Sequence, residues 1–426
     1  MARIVLNTFG SLGDLHPYLA TAVELRRRGH TVVIPTSEVY RSKIEAENVS
    51  FAPVRPDVGE LLGNPALMDK IMHPRRGSEY LIRDYLLPKV ENAYQDLHAA
   101  CAGADLLVTH VAGYAGPVVA EARGLPWVSV ALQPAIFFST YDPSVLASAP
   151  WLRHLHSLGR WPLVALHALI KRHIQLWIGP IARLRKKLGL PASSFNPVLE
   201  GFSPFGTLGL FSPRFARPQP DWPPNVRMCG FVFYDKRDAH WSPDKGLSEF
   251  LNSGPPPVLF TLGSSAVMRP GSFYEKSAAA ARKLGVRAVL LAGNDAPTQS
   301  SSEVYVTDYA SYSEIMPRVA VSVHSGGVGT CAQALRSGRP MLVVPWSHDQ
   351  PDNAERLRKL GVSRTIERSC YTAAKVSLEL DRLLSEPSYE TAAVQIAREL
   401  AKEDGLGAAC DSLEAALSNQ STLLAD

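Results

Sequence analysis

A short strand, a glycine-rich turn and the start of a helix follow one another in the stretch Val323-His-Ser-Gly-Gly-Val-Gly-Thr-Cys-Ala-Gln-Ala-Leu335. Gly326, Gly327 and Gly329 allow the backbone N–H groups of the turn to approach a ligand closely. The N-terminus of the helix behind the turn attracts anions. The stretch therefore predicts a strand–turn–helix unit of a parallel sheet that suits a diphosphate, although a purely structural turn would show the same pattern.

The same alternation of strands and helices continues on both sides of this stretch. Near the N-terminus, a strand over 3–9, a helix ending at Arg26-Arg27-Arg28 before Gly29, and a strand from Thr31 form a βαβ unit. We therefore predict an α/β fold with two Rossmann-like, doubly wound domains that face each other across a cleft. The other predicted strands are 105–109, 127–132, 258–262, 287–292, 320–324 and 341–344, and the other predicted helices are 117–123, 272–284, 332–337 and 354–360.

Composition divides the chain into four parts. The two predicted domains are residues 1–220 and 257–390. Residues 221–256 between them are a predicted linker, because prolines and glycines cluster there and run into Pro255-Pro256-Pro257. Residues 391–426 are predicted to be helices that pack back toward the first domain.

The composition also excludes several classes of function. A net charge of +4 over 426 residues is too small and too evenly spread for a nucleic-acid-binding protein. The five cysteines lie far apart without a CxxC pair, so neither a zinc site nor a disulfide framework is expected. No signal-peptide pattern is present, and no apolar run approaches the roughly 20 residues of a membrane span. We therefore expect a soluble, cytoplasmic protein without a bound metal.

A second motif follows the glycine-rich stretch, at Pro345-Trp-Ser-His-Asp-Gln-Pro-Asp-Asn-Ala354. It places Asp349 and Gln350 in the loop after the next strand, at the carboxyl edge of the sheet, where a carboxylate beside an amide suits vicinal sugar hydroxyls. Together, the two motifs resemble the donor-binding signature of family 1 glycosyltransferases, which have the two-domain GT-B fold. The resemblance covers nearly the whole chain and points to the bacterial branch that includes rhamnosyltransferases and antibiotic- and sterol-modifying enzymes.

The resemblance implies a UDP- or dTDP-sugar as co-substrate, bound by the second domain without a further cofactor. Tyr309 corresponds to the aromatic residue that stacks on the nucleotide base, and Tyr312 lies beside it. Gln333 lies where the family usually has a glutamate bonded to the ribose hydroxyls, which an amide can also bind. The other implied donor contacts are Gly13, then Ser264, Ser265, Gly327, Gly329 and Thr330 around the phosphates, and Asp349 and Gln350 on the transferred sugar.

One position departs from the family pattern. Immediately before the two glycines the family usually has a histidine that bonds the diphosphate, whereas this chain has Ser325, with His324 one residue earlier. On a strand, neighbouring side chains point to opposite faces. Three interpretations therefore stay open: a weaker hydroxyl contact from Ser325, a contact from His324 across an irregular turn, and a hydrogen-bonded His324 with only a structural role.

The N-terminal loop Gly10-Ser-Leu-Gly-Asp-Leu-His-Pro17 resembles the family's glycine-rich acceptor-side loop. The resemblance implies that Asp14 is the general base, which removes the proton of the acceptor hydroxyl as its oxygen attacks the anomeric carbon. His16 is the rival base, and capping of a helix that begins near Leu15 is the structural alternative for Asp14. The helper aspartate of plant members would fall near His110, so no carboxylate–histidine pair of that kind is expected here.

The segment 151–187 combines tryptophans with basic residues. Helices of this composition can dock on anionic lipid headgroups, and in this family the region also shapes the acceptor pocket. An ordinary amphipathic cover of the domain fits the pattern somewhat better than a peripheral contact with the inner face of the membrane. The aromatic content of residues 134–215 favours a small hydrophobic acceptor, such as a lipid, polyketide, terpenoid or phenolic compound.

The predicted activity is that of an inverting glycosyltransferase, which moves a hexose or deoxyhexose from a UDP- or dTDP-sugar to an acceptor hydroxyl. A sugar-nucleotide epimerase of the same fold is one alternative, which Asp349-Gln350 and the loop 10–17 disfavour. A non-catalytic relative that binds a nucleotide sugar is another, which the serine at position 325 keeps open. A dehydrogenase is disfavoured because Gly10-Ser-Leu-Gly13 is not GxGxxG.

Overall fold

The computed structural model describes residues 1–150, 160–193, 195–235, 245–267, 269–293 and 300–423. The chain divides into two compact units. The first unit comprises Met1–Tyr234 and the C-terminal segment Glu403–Asp426, and the second comprises Asp235–Lys402. Each unit contains one parallel sheet, which confirms the predicted α/β class with two Rossmann-like domains.

The sheet of the first unit has its most apolar strands in its centre. Its strands are β1 (Arg3–Asn7), β2 (Thr31–Thr36), β3 (Ser50–Pro53), β4 (Leu106–His110), β5 (Trp127–Ala131), β6 (Thr207–Gly209) and β7 (Val226–Met228). They are parallel and lie in the order β3-β2-β1-β4-β5-β6-β7. All residues of β4 and β5 are buried, as expected for parallel strands that are covered on both faces.

The sheet of the second unit repeats this strand order. Its strands are β8 (Val258–Thr261), β9 (Ala288–Leu291), β10 (Val304–Thr307), β11 (Val321–His324), β12 (Met341–Val343) and β13 (Ser363–Thr365). They are parallel and lie in the order β10-β9-β8-β11-β12-β13. On β11, Val323 is in register with Phe260 on one side and Leu342 on the other. The glycine-rich stretch therefore leaves the sheet from a central strand.

The helices connect the strands in both units. In chain order they are α1 (Leu12–Arg27), α2 (Arg41–Glu45), α3 (Val58–Leu62), α4 (Pro65–Ile71), α5 (Gly77–Glu79), α6 (Val90–Ala100), α7 (Gly116–Arg123), α8 (Arg160–Gln175), α9 (Gly179–Lys187), α10 (Pro197–Glu200), α11 (Lys245–Asn252), α12 (Gly263–Ala266), α13 (Phe273–Leu284), α14 (Tyr312–Ile315), α15 (Val328–Ser337), α16 (Gln350–Lys359), α17 (Ala373–Ser385), α18 (Pro387–Leu400) and α19 (Gly405–Leu423). In the described residues, no helix combines the length and apolar character needed to cross a membrane.

The C-terminal helix α19 packs in the first unit. At the end of α1, the Arg28 guanidinium lies 2.6 Å from Asp411 and 2.7 Å from Glu414. Glu414 also lies 3.0 Å from Nε2 of His30. By contrast, the preceding helix α18 belongs to the second unit. The chain therefore returns to the first unit only after Lys402.

The unit boundaries differ from those expected from composition. The expected linker, 221–256, includes β7 of the first sheet and α11 of the second unit. β7 is only three residues long and has exposed Arg227 at its centre, so it lacks the apolar run that identifies a strand. The prolines around it look like a linker although part of that segment is in the sheet.

Candidate active site

In each unit, the predicted functional loop follows one of the two strands between which the strand order reverses. The strand order reverses between β1 and β4 in the first unit and between β8 and β11 in the second. Ligands of open parallel sheets bind outside the carboxyl ends of the strands at this reversal. The loop 10–17 follows β1, and the glycine-rich turn follows β11. Each unit therefore presents its predicted functional loop where this topology favours a ligand.

Asp14 lies in the first turn of α1 and folds back onto the start of that helix. Its Oδ2 accepts hydrogen bonds from the backbone N–H of Ser11 at 2.7 Å and from the Ser11 hydroxyl at 3.2 Å. Gly10 has a φ of +136°, and a Cβ at this position would collide with the Asp14 carboxylate. The glycine therefore makes room for this carboxylate, and Tyr40 holds the loop by donating to the Gly10 carbonyl at 2.9 Å.

The helix that Asp14 was expected to cap begins earlier than predicted. The helix begins at Leu12 rather than near Leu15, and its N-cap residue is Ser11. Asp14 is the third residue of the helix and forms the acidic half of a capping box. The apolar spacing first becomes visible at Leu15, which is why the sequence indicates too late a start. Asp14 therefore stabilises the helix N-terminus whether or not it also acts in catalysis.

His110 at the end of β4 is electrostatically coupled to Asp14. Burial raises the pKa of Asp14 above its ordinary value of 3.8, while His110 and the hydrogen bonds from Ser11 oppose that rise. Burial lowers the pKa of His110, and Asp14 opposes that shift. Nδ1 of His110 accepts from the Ala112 N–H at 3.3 Å, and its ring stands edge-on to Tyr18 with centroids 6.5 Å apart.

Asp14 and His110 therefore influence each other electrostatically, although no hydrogen bond or ion pair joins them among the described residues. The plant members' pair has a histidine on the loop and an aspartate on the strand. In this chain Asp14 lies in the first turn of α1, and His110 is the last residue of β4. The plant pattern anticipates a histidine first and an aspartate second along the chain, and it does not anticipate the reverse order found here.

His16, the rival base, packs against Tyr234. The two ring centroids are 5.1 Å apart and the rings are tilted by 34°. His16 follows Asp14 by two residues on α1, which places the two side chains about 200° apart around the helix axis. The structure therefore does not bring His16 and Asp14 together on one face.

The glycine-rich turn is held by Ser325 and His324. The Ser325 hydroxyl donates to the carbonyl of Leu262 at 2.8 Å, which joins the loop after β8 to the loop after β11. Nδ1 of His324 accepts from the N–H of Gly326 at 3.1 Å. His324 is fully buried, and burial lowers its pKa to about 4. Both side chains thus bond the protein itself, while Nε2 of His324 is buried without a hydrogen-bond partner among the described residues. The contact of either residue with a diphosphate stays a prediction.

Gly326 and Gly327 shape the turn in different ways. Gly326 has a φ of +88°, and a Cβ there would lie 2.8 Å from Cγ1 of Val343. Gly327 is the N-cap residue of α15, and no atom lies within 4 Å of the place where its Cβ would be. The turn is therefore closely packed on its inner side and open at the helix N-terminus, as an anion site requires.

The other predicted phosphate contacts and Gly13 lie on the helices α15, α12 and α1. Gly329 and Thr330 lie in the first turn of α15, and a Cβ on Gly263 would lie 3.3 Å from the Thr330 hydroxyl oxygen. Ser264 is an exposed residue of α12, directly after β8. The side chain of Ser265, in the same helix, lies outside the described part of the chain. Gly13 lies in α1 of the first unit.

Asp349 and Gln350 lie at the start of α16 rather than in a free loop. Asp349 is the N-cap residue, and Gln350 is the first residue of the helix. Oε1 of Gln350 accepts from the N–H groups of Trp346 at 2.7 Å and Ser347 at 3.2 Å. Gln350 is 5% exposed and thus helps to fold the loop that precedes it. Directly before Asp349, His348 has a φ of +57°, a left-handed conformation that is uncommon for residues other than glycine.

Asn353 connects the glycine-rich turn to Asp349. Its Nδ2 donates to the Gly326 carbonyl at 2.9 Å and to Oδ2 of Asp349 at 2.6 Å. Both partners are acceptors, so the reverse orientation of the amide would place an oxygen against two oxygens. Asn353 is completely buried, and its Oδ1 has no hydrogen-bond partner in the described structure. The amide of Asn353 thus forms two hydrogen bonds through its nitrogen, while its oxygen stays buried without a donor.

Gln333 forms a three-residue group with Asp235 and Arg336. The guanidinium of Arg336 donates to both carboxylate oxygens of Asp235 at 2.6 Å. It also donates to Oε1 of Gln333 at 2.7 Å, while Nε2 of Gln333 lies 3.3 Å from Asp235. A carboxylate is therefore present beside the amide that replaces the family's glutamate.

The two predicted base-stacking tyrosines differ in their surroundings. Tyr309, after β10, is 39% exposed and presents an aromatic ring at the carboxyl edge of the sheet. The hydroxyl of Tyr312 lies 2.8 Å from the Thr261 hydroxyl and also bonds the Thr330 side chain. Tyr312 therefore braces β8 and α15, and Tyr309 is the better placed of the two for stacking.

Sequence reasoning missed Asn353, Asp235 and Arg336. Asn353 lies inside the second motif, but its partner Gly326 is 27 residues away, and only the fold brings them together. Asp235 and Arg336 are separated by 101 residues. A polar residue at a buried position of α16 is the one signal that could have drawn attention to Asn353.

The expectation that the protein binds no metal stays a prediction. Within the described ranges, no group of three or more His, Cys, Asp and Glu side chains could hold a metal ion. The five cysteines are free, and four of them are buried. The cytoplasmic location also stays a prediction.

The arrangement of the second unit fits a phosphorylated sugar. A helix N-terminus and open backbone N–H groups attract phosphate charge, and the Asp349 carboxylate is held beside them by Asn353. In the first unit, burial raises the pKa of the Asp14 carboxylate, so Asp14 holds an accepted proton more strongly than an ordinary aspartate does.

Two comparisons of sequence agree with this geometry. Residues 4–132 match the glycosyltransferase family 28 N-terminal domain, and residues 293–406 match the erythromycin biosynthesis protein CIII-like C-terminal domain. The chain is 30% identical to O-mycaminosyltylonolide 6-deoxyallosyltransferase of Streptomyces fradiae, over 97% of this chain and 97% of that protein. It is 26% identical to a sterol 3-beta-glucosyltransferase of Cryptococcus neoformans over 96% of this chain, which spans only 27% of that relative's length.

Solved structures resemble the whole chain. Spinosyn forosaminyltransferase SpnP has a TM-score of 0.71 at 20% identity and covers 98% of this chain and 99% of its own. The glycosyltransferase VinC, solved in complex with dTDP, has a TM-score of 0.66 at 24% identity, with 97% and 99% covered. At these identities the likeness shows the fold.

Proposed function

The chain belongs to the family 1 glycosyltransferases with the GT-B fold, and on that premise we propose that it is an inverting enzyme that transfers a hexose or deoxyhexose from a UDP- or dTDP-sugar to a hydroxyl of a small hydrophobic acceptor. The observation that carries the proposal is the bridge from the Gly326 carbonyl through Asn353 to the Asp349 carboxylate. It holds a diphosphate-binding turn and a sugar-binding carboxylate in one fixed arrangement.

In the proposed reaction, the acceptor oxygen attacks the anomeric carbon as the bond from that carbon to the diphosphate oxygen breaks. The proton of the acceptor hydroxyl passes to the Asp14 carboxylate, and the nucleoside diphosphate leaves. Attack opposite the leaving group inverts the anomeric configuration. The glycine-rich turn and the N-terminus of α15 stabilise the charge that develops on the leaving oxygen.

The nucleoside end of the donor is assigned to Tyr309 and to the group around Gln333. The exposed ring of Tyr309 offers a surface for the base. The ribose hydroxyls are assigned to Gln333, whose amide is fixed by Arg336 and Asp235. Because Oε1 of Gln333 already accepts from Arg336, Gln333 offers mainly its N–H groups to the ribose. The Asp235 carboxylate adds an acceptor for a ribose hydroxyl.

The acceptor class rests on the relatives. One is named for transfer to O-mycaminosyltylonolide and another for transfer to sterols. A sterol has a large apolar framework with one reacting hydroxyl. These names support an acceptor of the same general kind, with a hydroxyl on an apolar framework.

The donor proposal predicts that UDP or dTDP raises the melting temperature of the purified protein. A ligand that binds only the folded state adds about 2.7 kcal/mol at a hundred times its dissociation constant. A thermal-shift series with UDP, dTDP, GDP and their sugar conjugates measures this. Inorganic phosphate at the same concentration is the control, since it lacks the base and ribose. An absence of any shift with all nucleotides would contradict the donor site.

We also expect sugar transfer to continue without divalent metal ions. The charge of the leaving diphosphate is assigned to the turn and the helix N-terminus, so no bridging cation is needed. Initial rates with and without EDTA should agree within about twofold, because no bound cation is needed to stabilise the transition state. A loss of turnover in EDTA that magnesium restores would contradict this expectation.

A further inference from the structure

The region around α8 has an unusual charge distribution. Between Asp142 and Glu200 the chain contains no aspartate or glutamate, although it contains 40 acidic residues in all. The same interval contains eight lysines and arginines. They are Arg153, Arg160, Lys171, Arg172, Arg183, Arg185, Lys186 and Lys187. The first of these, Arg153, lies outside the described residues.

Helix α8 is amphipathic, but part of its exposed face is also apolar. Its buried side includes Leu163 and Ile174. On the other side, Trp161 is 82% exposed and Leu169 is 66% exposed, and Leu176, directly after the helix, is 79% exposed. At about 100° per residue these three side chains fall within about 80° of one another around the axis. They form an apolar stripe along one face, which we call the α8 stripe.

The basic residues of this region have two different roles. Arg185 is buried and forms an ion pair with Glu121, and Lys187 pairs with Glu91, so these two hold α9 to the unit. Lys171 and Arg172 are exposed, and among the described residues neither forms an ion pair with a carboxylate. By the same geometry, Arg172 lies within the α8 stripe, and Lys171 lies about 80° from the nearest stripe residue, Trp161, on the flank between the stripe and buried Ile174.

We propose that the α8 stripe binds an anionic lipid surface. Large exposed apolar side chains insert between headgroups, and lysines and arginines beside them attract anionic lipid. An acid-free interval around the stripe removes the repulsion that carboxylates would cause at such a surface. An acidic protein partner would satisfy the cations, but it would not by itself explain three large apolar side chains aligned with them. The inference does not depend on the sugar chemistry.

Vesicle binding tests this proposal with the full-length chain. Co-sedimentation is measured with vesicles of phosphatidylcholine alone and of phosphatidylcholine mixed with phosphatidylglycerol. We expect binding to the anionic vesicles that weakens as salt concentration rises, and much weaker binding to the neutral vesicles. Failure to bind the anionic vesicles at low ionic strength would overturn the proposal.

Two variants separate the electrostatic and apolar contributions. The double variant Lys171→Gln/Arg172→Gln should partition about 25-fold more weakly onto anionic vesicles, because each basic residue contributes roughly fivefold. Trp161→Ala should weaken partition at least about tenfold, through lost insertion of apolar surface. Nucleotide-induced thermal shifts should be unchanged in both, which shows that they are folded.

Matched controls lie in the second unit. Leu378 is 51% exposed on α17, and Lys402 is an exposed lysine. Leu378→Ala and Lys402→Gln should bind vesicles like the parent chain. An equal loss in these controls would overturn the assignment to α8. Sedimentation velocity gives a further check, since self-association that Trp161→Ala abolishes, without vesicle binding, would assign the stripe to a second copy of the chain.

Discussion

Replacing Asp14 with asparagine is expected to lower kcat by about 10²- to 10⁴-fold, the range for loss of a general base. Asparagine keeps an oxygen that can accept from the Ser11 N–H, so the start of α1 should be preserved. The measurement is steady-state transfer at saturating donor together with the melting temperature. The expected result is a large loss of turnover with nearly unchanged donor binding.

Ser11→Ala is the matched control for this variant. It removes the hydroxyl that bonds Asp14 and weakens the cap, but it leaves the carboxylate in place. Its effect should appear mainly as a cap loss of about 1 kcal/mol in stability, with turnover within a few fold. If Ser11→Ala lost as much turnover as Asp14→Asn, the role of Asp14 would be structural.

The pH profile provides a second readout for Asp14. The base must be ionised to accept a proton, so kcat/KM should rise with pH through the pKa of Asp14. Burial raises that pKa, so the acidic limb should lie above the ordinary value of 3.8, and it should be absent from the residual activity of Asp14→Asn. An active variant that retains the limb would point to His16 as the base.

Replacing Asp349 with asparagine is expected to raise KM for the nucleotide sugar by about 10- to 150-fold. Hydrogen bonds to a charged group contribute about 1.5–3 kcal/mol, and the proposed bonds run from sugar hydroxyls to this carboxylate. Asparagine retains an oxygen for the bond from Asn353 at 2.6 Å, so the turn should keep its shape. The affinity for free UDP or dTDP should therefore stay nearly unchanged, which isothermal titration can measure.

Asp352→Asn provides the contrast for this second variant. Asp352 forms a buried ion pair with Arg356 at 2.8 Å, one turn further along α16. Loss of one partner of such a pair lowers stability by roughly 3–5 kcal/mol. It should weaken the affinities for nucleotide and nucleotide sugar alike, where they change at all. Equal losses for both ligands in Asp349→Asn would show that Asp349 does not contact the sugar.

The sequence predicts those elements of the fold that have long apolar or glycine-marked patterns. β1, β5 and β8 lie within the predicted strands, and β4 extends one residue beyond its predicted end, because each has a run of buried apolar residues. β6, β7 and β13 have three residues each and, unlike the equally short β12, contain no unbroken apolar run. Their place in the sheets follows from pairing with neighbouring strands, which the local sequence does not encode.

The candidate site shows the same division between local and distant information. Glycines 326 and 327 and the pair at 349–350 are visible as motifs, and their roles stay predictions. The electrostatic interaction of Asp14 with His110 joins the first turn of α1 to the end of β4, which are far apart in the chain. The bond of Ser325 to the Leu262 carbonyl spans 63 residues. Such contacts depend on strand order, and the sequence alone indicates only which residues are available for them.

The buried amide of Asn353 has a consequence for how the donor preference of this protein can change. Its two hydrogen bonds connect the glycine-rich turn to the Asp349 carboxylate, so that a shift of one is transmitted to the other. A substitution at position 349 that suits another sugar therefore also alters the support of the turn, and the two effects will not add independently. Under the proposed donor assignment, a change of donor preference would require paired substitutions on both sides of that amide.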